Sequence, residues 1–477
     1  MRGGTYQGGY LTNYSGSLDL LLAGDTNSPI TIQPYRNEKP VIGVGLDSAS
    51  QAGQILAIDG QFTILRDVEI TNPSTNRYSW AKYAAGVSLY GPYNKLINCI
   101  VHDTGEGLWI GLGAHQSEVY GCVVFNNGLQ NMSLTNSDGT AREPDTRGHG
   151  HGFYARSEQP TTFLAENIVF NGFDLGFQCY TTSSSQPING IRLEGNITFG
   201  NGRNSFSGDG ANNILVYGGG LVDNLLVYTN FAYAIGYSCG ENTRFGAGSR
   251  SGDTAKSSGT GVITGNHFFG SYNYFNCFTN LVWTNNFVAG DQTIVELTFA
   301  TPNFGSTQPL TGCVYDWNHN VYDMTWSWPF MFTTNSYHYN FQQWTNASGF
   351  DVNSLFASAL PTAGIEVYVR TNKYDENRAN IVVVNWPMSN TVNVDLTGVL
   401  SINDAFTIVN AQNPLGAPVL QGKYSGLPVS LPSTGVSVAR ATGSPTVPTE
   451  TGPLFNAFIV RRYSGTLNPP GILHVIH

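Results

Sequence analysis

Short runs of alternating apolar and polar residues recur through the first two thirds of the chain. One kind of run begins with Gly, as in Gly107-Leu108-Trp109-Ile110 and Gly152-Phe153-Tyr154-Ala155. Another begins with Cys or Asn and continues with β-branched or aromatic residues, as in Asn167-Ile168-Val169-Phe170. Alternation with a period of two is typical of β-strands, because successive side chains of a strand point to opposite faces of the sheet. The pattern therefore predicts many short strands separated by tight turns.

The spacing of these runs indicates a solenoid. Gly107 follows Gly86 after 21 residues, and Cys122 follows Cys99 after 23 residues. A period in the low twenties accommodates one coil of three short strands, each paired with the equivalent strand of the next coil. Gly, Asn and β-branched residues are too frequent for a helical repeat, and the consensus of leucine-rich repeats is absent. The sequence predicts an all-β fold built on a parallel β-helix.

The pattern changes in the last third of the chain. Residues 1–324 are predicted to form the β-helix, and the segment 2–6 resembles the middle of such a domain, so we expect an N-terminal coil to be missing. Residues 325–364 are predicted to be a transition segment with a short helix. Residues 365–465 contain alternating strands with short polar turns, which are typical of an antiparallel β-sandwich. Residues 466–477 are predicted to be a tail.

Composition narrows the classes of partner. Charged residues make up 11% of the chain and the net charge is −10, whereas an average soluble domain carries about 25% charged residues. Binding of nucleic acid needs a basic face, so nucleic acid is not a predicted partner. No apolar stretch reaches the length of about 18 residues that a membrane span needs. The low charge and the many Asn, Ser, Thr and Tyr residues favour a secreted or cell-surface protein.

Several segments resemble the bacterial right-handed parallel β-helix repeat proteins of the broad pectate-lyase-like superfamily. They are Arg2–Tyr6, Asn94–Asn98, His102–Gly105, Gly150–Tyr154 and Trp344–Asp351. The resemblance implies a right-handed β-helix and an exported protein, and members of the superfamily include polysaccharide lyases, hydrolases and epimerases. The base and the calcium ligands of alginate and chondroitin lyases match no residues of this sequence. The resemblance therefore assigns no catalytic residue; no cofactor is predicted, and calcium is implied only for a lyase.

Alignment of the Gly-led runs predicts which side chains face solvent. Val87 and Leu89 begin two inward columns, and the positions between and after them should face outward. Equivalent strands of successive coils lie about 4.8 Å apart, so outward aromatic side chains would form a row on which sugar rings stack. An alternative interpretation is that these aromatics only cover a sheet of low charge. The predicted substrate-binding residues are Trp109, Tyr154, Gln178, Tyr180 and Tyr90, with Arg147 from an adjoining insertion.

Ionisable residues lie beside this row, partly on the insertion 129–148. Glu106 and His151 occupy equivalent positions in the alignment and are predicted to be neighbours. Hydrolysis of a glycosidic bond needs two carboxyl groups, whereas a lyase needs a cation that neutralises a uronate and a base that abstracts a proton. An alternative interpretation is that the Glu106–His151 contact is structural, and two His residues without a third ligand predict no metal site. The predicted catalytic residues are Glu106, Asp103, Glu143, Asp145, His149, His151 and Arg156.

Two functions from different classes fit these observations. The first is an exported protein that binds polysaccharide and cleaves it, as a lyase or a glycoside hydrolase. The second is a non-catalytic structural or adhesive protein of the cell surface or of an extracellular assembly. Self-association is compatible with either function. A regular stack of low charge suits both, and a fold alone does not decide between them.

Overall fold

A computed structural model describes most of the chain. The described residues are 1–7, 18–36, 38–43, 53–75, 77, 84–129, 150–158, 161–183, 185–205, 211–236, 240–247, 258–299, 311–332, 337–445 and 447–463.

Three long sheets form the first part of the molecule. Consecutive strands belong in turn to the first, the second and the third sheet, and each strand pairs in parallel with the strand one coil later. In the described part of these sheets, one strand departs from this rule, because Tyr337–Tyr339 pairs antiparallel with Phe330–Phe332. The predicted fold class, a right-handed parallel β-helix followed by antiparallel sheets, is confirmed.

The strands of the first sheet are Gly4–Gln7, Pro40–Gly43, Glu69–Thr71, Ile100–His102, Val123–Phe125, Ile168–Phe170, Ile197–Phe199, Phe231–Tyr233, His267–Phe269, Phe287–Gly290, Val321–Met324 and Leu355–Ala357. Those of the second sheet are Leu18–Leu20, Gln54–Ile58, Ala85–Leu89, Glu106–Ile110, Phe153–Ala155, Phe177–Thr181, Ile214–Gly218, Thr243–Ala247, Tyr272–Asn276, Ile294–Thr298, Phe330–Phe332 and Tyr337–Tyr339. Those of the third sheet are Ile30–Ile32, Thr63–Arg66, Lys95–Ile97, Glu118–Tyr120, Thr162–Ala165, Ile191–Glu194, Leu225–Tyr228, Ser258–Thr264, Phe278–Thr284 and Val314–Asn318. A small parallel pair joins Ile188–Asn189 to Val222–Asp223.

Apolar side chains fill the space between the three sheets in columns, as the alternation predicts. Leu108 pairs with Val87 on one side and with Phe153 on the other, and all three are fully buried. Cys99 and Cys122, which the repeat places in adjacent coils, are both buried free thiols. Burial of this continuous column of side chains provides the main stabilisation of the stack, because a single coil cannot cover its own apolar face.

Buried asparagines form a ladder where the third sheet turns into the first. The Oδ1 atom of Asn196 accepts hydrogen bonds from the backbone N and the Nδ2 of Asn167, both at 3.0 Å. Each following member repeats the contact one coil later, so the amide groups satisfy backbone donors that the turn would otherwise leave buried without a partner. The ladder consists of Asn167, Asn196, Asn230, Asn266, Asn286 and Asn320.

The last coils of the β-helix extend into the predicted transition segment. Contacts between residues divide the chain into two units, and the first comprises Met1–Leu360 together with Arg440–Pro448. Within 325–364, a helix spans Phe341–Ser348; Asn340 caps its N-terminus by accepting from the Gln343 backbone, and the fully buried Trp344 lies on its inner side. The side chain of Gln343 completes a capping box, which satisfies two backbone donors of the first turn.

The second unit is antiparallel. One sheet contains, in spatial order, Ile365–Asn372, Asp375–Asn385, Phe455–Tyr463, Ala405–Asn410 and Leu420–Lys423, and a second sheet pairs Thr391–Val394 with Val429–Pro432. Side chains of both sheets, such as Ile381 and Val394, share one buried apolar cluster, which is the arrangement of a small sandwich. Throughout the described ranges, no helix combines the length and the apolarity that a membrane crossing requires.

Candidate functional site

The outward row of the second sheet lies where the alignment predicts it. Trp109 pairs with Tyr154, and Tyr154 pairs with Gln178, one coil further along. All three side chains are half-buried, whereas Leu108 and Ile110 on either side of Trp109 are fully buried. The three coils therefore present an indole, a phenol and an amide side by side, about 4.8 Å apart along the stack.

A second row runs beside the first. The Tyr90 ring meets the edge of Trp109 with ring centroids 5.2 Å apart. The Nε and Nη2 atoms of Arg156 lie 3.3 and 3.1 Å from the hydroxyl of Tyr154. Tyr180 continues this row and pairs with Tyr217 of the next coil. The predicted neighbourhood of Trp109, Tyr154 and Arg156 is therefore present.

Ser88 departs from the alignment. The sequence predicts an outward position for Ser88 in the column of Trp109, but the side chain is fully buried. A short hydroxymethyl group does not reach beyond the larger side chains of its neighbours, so alternation alone does not decide exposure. The aromatic row accordingly starts at Trp109.

Three ionisable residues meet at the corner between the first and second sheets. The Nε2 atom of His151 lies 3.9 Å from Oε1 of Glu106, and the Nδ1 atom lies 3.6 Å from Oδ2 of Asp174. The His151 side chain is fully buried, while Glu106 and Asp174 keep 16% and 9% of their side-chain surfaces exposed. The His151 ring also stacks on Tyr154 with centroids 6.1 Å apart. This set, called the corner cluster below, thus adjoins the aromatic row.

Glycines make room for the corner cluster. A Cβ atom on Gly107 would lie 2.2 Å from the carbonyl oxygen of Gly152 and 2.6 Å from the Val124 side chain. A Cβ atom on Gly152 would lie 2.3 Å from the Val169 side chain. Real Cβ atoms do not approach so closely, and each Gly therefore allows neighbouring strands and coils to pack closely next to Glu106 or His151.

The environment of Glu106 favours its neutral form. Burial raises the pKa of this carboxyl group, the negative charge of Asp174 raises it further, and the pKa reaches about 8. Within the described part of the chain, Oε1 of Glu106 has no hydrogen-bond partner. Glu106 therefore carries a proton at neutral pH, which is the state that a general acid needs.

Asp103 lies nearby but is engaged in other contacts. It forms a buried ion pair with Arg77, one oxygen accepts from the backbone N of Thr442 at 2.7 Å, and the other lies 2.8 Å from Nδ1 of His102. Burial lowers the pKa of His102, but hydrogen bonds to Asp103 and Glu69 outweigh burial, and the pKa lies above its ordinary value. These contacts are those of a structural residue, which stabilises the corner between the first and second sheets.

Four predicted residues cannot be placed. Glu143, Asp145, Arg147 and His149 lie outside the described residues. They remain predictions.

The outward row continues further than the Gly-led runs suggest. Gln178 pairs with Leu215, Leu215 with Arg244, and Arg244 with Tyr274. Tyr274 in turn pairs with Glu296, which is 4% exposed. The row therefore passes from an aromatic end to a second group of charged side chains.

Arg244 is the centre of this second group. Its guanidinium carbon lies 4.2 Å from the ring centroid of Tyr217 and 5.1 Å from that of Tyr274. Its Nη1 atom lies 2.9 Å from Oε1 of Glu241, and Oε2 of Glu241 accepts from Nδ2 of Asn212 at 2.9 Å. The group of Glu241, Arg244, Tyr217, Tyr274 and Glu296 is called the arginine cluster below.

The two tyrosines next to Glu296, Tyr272 and Tyr274, both have raised pKa values. Burial raises the pKa of Tyr274, and the charges of Glu296 and Glu241 together with a hydrogen bond to Glu296 raise it further. Burial and the Glu296 charge also raise the pKa of Tyr272, whose ring stacks on Tyr274 with centroids 5.6 Å apart. The two hydroxyl groups are therefore hydrogen-bond donors at any physiological pH.

The Gly-led pattern does not predict the arginine cluster, because the strands of the cluster lack a leading Gly. Asn213 and Asn242 stand before Ile214–Gly218 and Thr243–Ala247, and they are hydrogen-bonded to each other at 2.8 Å. An alignment on Asn as well as Gly would have placed Arg244 in the outward row. In the described ranges, no group of three or more His, Cys, Asp or Glu residues is arranged to hold a metal ion.

Comparison with known proteins finds likeness at the level of the fold. No protein-family model and no curated protein matches the sequence. Pectate lyase Pel9A is 17% identical with a TM-score of 0.39, over 70% of this chain and 68% of that chain. An alginate lyase from Paenibacillus sp. is 13% identical with a TM-score of 0.26, over 64% of this chain and 90% of that chain. A tailspike protein of the Acinetobacter baumannii bacteriophage Fri1, a capsular polysaccharide depolymerase, is 10% identical with a TM-score of 0.25, over 89% of this chain and 66% of that chain.

Proposed function

We propose that the protein binds a polysaccharide chain along the outward face of the second sheet and hydrolyses it at the corner cluster. The observation that carries the proposal is the in-register row Trp109–Tyr154–Gln178 beside a carboxyl group that holds a proton at neutral pH. A sheet repeats its side chains at a regular rise, as an extended polymer repeats its units. Secretion or display at the cell surface belongs to the proposal, because extended polysaccharides are found there.

The aromatic side chains supply the binding surface. Trp109 and Tyr154 offer flat apolar faces with polar edges, and such groups bind strongly for little loss of conformational entropy. Tyr90 and Tyr180 widen the surface on the side of the second row. Gln178 contributes both hydrogen-bond donors and acceptors for sugar hydroxyl groups.

The corner cluster supplies two carboxyl groups for the reaction. Glu106 would donate its proton to the glycosidic oxygen as the C–O bond breaks, and the Asp174 carboxylate would take a proton from the water that attacks the anomeric carbon. His151 lies between the carboxyl groups with contacts of 3.9 and 3.6 Å. These contacts keep the carboxyl groups within about 10 Å, a limit that accommodates both the roughly 5–5.5 Å of retaining and the roughly 6.5–9.5 Å of inverting glycosidases.

In this proposal Arg156 binds the polysaccharide and takes no part in the cleavage. Its guanidinium lies over the Tyr154 ring at 5.4 Å, and in the described residues it forms no ion pair with a carboxylate. It can therefore donate hydrogen bonds to a sugar. A lyase would use the same cation on a uronate, and the reaction products distinguish the two chemistries.

The proposal is tested by incubation of the protein with galactan, mannan, xylan, polygalacturonate and alginate. Hydrolysis produces new reducing ends without an unsaturated product, and a lyase produces ultraviolet absorbance from the new double bond. We expect reducing ends, with a rate that falls as pH rises through about 8, where Glu106 loses its proton. Asp174→Asn should abolish hydrolysis at every pH, because the amide cannot take a proton from the attacking water. Absence of any product and of any binding would refute the proposal.

Binding is tested apart from cleavage by Tyr154→Ala. Loss of the ring should weaken retention by a polysaccharide gel about tenfold, equivalent to roughly 1.4 kcal/mol. Tyr228→Ala is the matched control, because Tyr228 is a half-buried tyrosine of the third sheet with Arg192 over its ring at 4.8 Å. Equal retention of the two variants would place the binding surface elsewhere.

A further inference from the structure

We propose that the arginine cluster is a second sugar-binding subsite and that it accepts a sugar ring without a carboxylate. The inference rests on the proposed function, because it extends the same binding face. It adds a second contact point for the polymer and a class of sugar that occupies it.

The arginine cluster continues the aromatic row. Tyr154 and Arg244 occupy the same outward row, separated by the coils of Gln178 and Leu215. Three steps of about 4.8 Å place the two side chains roughly 14 Å apart along the stack. A polymer that lies along the row and contacts Tyr154 therefore reaches Arg244 without a change of direction.

The side chains of the arginine cluster hold each other in place. Arg244 is held between the rings of Tyr217 and Tyr274 and by Glu241, and its side chain is 17% exposed. A side chain fixed in this way loses little entropy when a ligand binds. Within the described residues, the Nε atom of Arg244 is buried and has no acceptor. A sugar hydroxyl at the exposed part of the Arg244 side chain would accept a hydrogen bond from the guanidinium, since every hydroxyl group carries two lone pairs.

Charge at the cluster favours an uncharged ring. Glu241 pairs with Arg244 at 2.9 Å, and the charge of Glu296 lies close to Tyr274 and Tyr272, whose hydroxyl groups are neutral at neutral pH. The cluster therefore has an excess of negative charge. A uronate would be repelled here, whereas the hydroxyl groups of an uncharged ring would accept from Arg244 or the tyrosines and donate to the glutamates.

A similar group on the third sheet provides the control. Arg192 lies over the rings of Tyr228 and Phe163 and is paired with Glu194 at 2.8 Å. This group differs in exposure, since the Arg192 and Glu194 side chains are 32% and 38% exposed. It also lies on another sheet, away from the aromatic row. Substitutions there report the effect of losing an arginine–tyrosine contact without losing the proposed subsite.

The experiment is affinity electrophoresis through gels containing galactan, mannan, xylan, polygalacturonate or alginate. Tyr217→Ala should weaken binding to the neutral polysaccharides about tenfold, and Tyr217→Phe, which keeps the ring, should bind within about twofold of wild type. Tyr228→Ala should also stay within twofold. Glu296→Gln should lower the preference for neutral over acidic polysaccharides about tenfold, because it removes the excess negative charge. Thermal unfolding of each variant confirms that it is folded.

The outcomes separate the two proposals. If the wild type binds none of the polysaccharides, the proposed function fails. If the wild type binds and Tyr154→Ala weakens binding while Tyr217→Ala binds like wild type, the second subsite is refuted and the proposed function stands. An unchanged preference in Glu296→Gln refutes the assignment to uncharged sugars.

Discussion

Two arginines of the β-helix have opposite surroundings. Arg77 is fully buried: it is paired with Asp103, and it donates to the carbonyl oxygens of Gly128 and Thr442 at 2.7 and 2.6 Å. Arg244 lies on the outward face between two tyrosine rings, and its Nε has no acceptor in the described part of the chain. The donors of Arg77 are directed to acceptors of the protein itself, whereas the Nε donor of Arg244 has no protein acceptor among the described residues.

The difference indicates how this fold separates stability from binding. A buried charge contributes to structure only while its partners remain, because an unpaired charge in the interior costs several kcal/mol. A half-exposed charge is screened by water, and its loss changes the free energy of unfolding little. Substitutions of Arg77 or Asp103 should therefore be detected by unfolding, and those on the outward face by binding.

Arg77→Ala should have the largest effect on stability. It leaves the Asp103 carboxylate buried without its cation, and we expect the free energy of unfolding to fall by about 3–5 kcal/mol. Urea denaturation monitored by circular dichroism measures this change. Arg192→Ala, which removes a half-exposed arginine, should cost less than about 1 kcal/mol.

A double substitution provides a second test if Arg77→Ala does not fold. Arg77→Met combined with Asp103→Asn removes both charges, and part of the lost stability should return. If Arg77→Ala were no more destabilising than Arg192→Ala, the contrast between interior and surface charges would not hold.

Glu106→Gln should have the next largest effect, and the effect depends on pH. In the folded protein the pKa of Glu106 is about 8, whereas an unfolded Glu titrates near 4.3. Between these values the unfolded chain releases the proton and the folded chain keeps it, so the wild type becomes less stable as pH rises. Gln does not titrate, and the variant should exceed the wild type by several kcal/mol at pH 8 but match it near pH 4, since each unit of pKa difference corresponds to about 1.4 kcal/mol.

Urea denaturation between pH 4 and pH 9 tests this dependence. Glu194→Gln is the control, because Glu194 is 38% exposed on the third sheet, where water screens its charge. If Glu106→Gln kept the slope of the wild type, Glu106 would be ionised in the folded protein and could not be the proposed proton donor.

Local alternation in the sequence was sufficient to predict the fold and the aromatic row. Strands of a β-helix pair only with their neighbours in adjacent coils, so an alignment of Gly-led runs reproduces the true register of Leu108 with Phe153 and of Trp109 with Tyr154. The same reasoning placed Glu106 beside His151, which lie 3.9 Å apart. Each of these predictions required only the position of a residue within its repeat.

The rest of the candidate site depends on contacts that no repeat encodes. Arg77 reaches Asp103 from a segment outside the strands, and Thr442 contacts Asp103 across 339 residues of chain. Asp174 stands one residue before the position that aligns with His151, so a column alignment misses it. The alternation also does not determine burial by itself. Ser88 shares a column with Trp109 and is nevertheless fully buried.

Arg156→Gln should have the smallest effect on stability and thereby sharpens the comparison with Arg77. The Arg156 side chain is half-buried and contacts the Tyr154 ring and hydroxyl, so the free energy of unfolding should change by less than about 0.5 kcal/mol. Binding to the polysaccharide retained by the wild type should nevertheless weaken severalfold, because a charged hydrogen-bond donor is lost. Urea denaturation and affinity electrophoresis of the same preparation measure both quantities. A loss of stability without a loss of binding would place Arg156 with Arg77, among the residues that hold the fold.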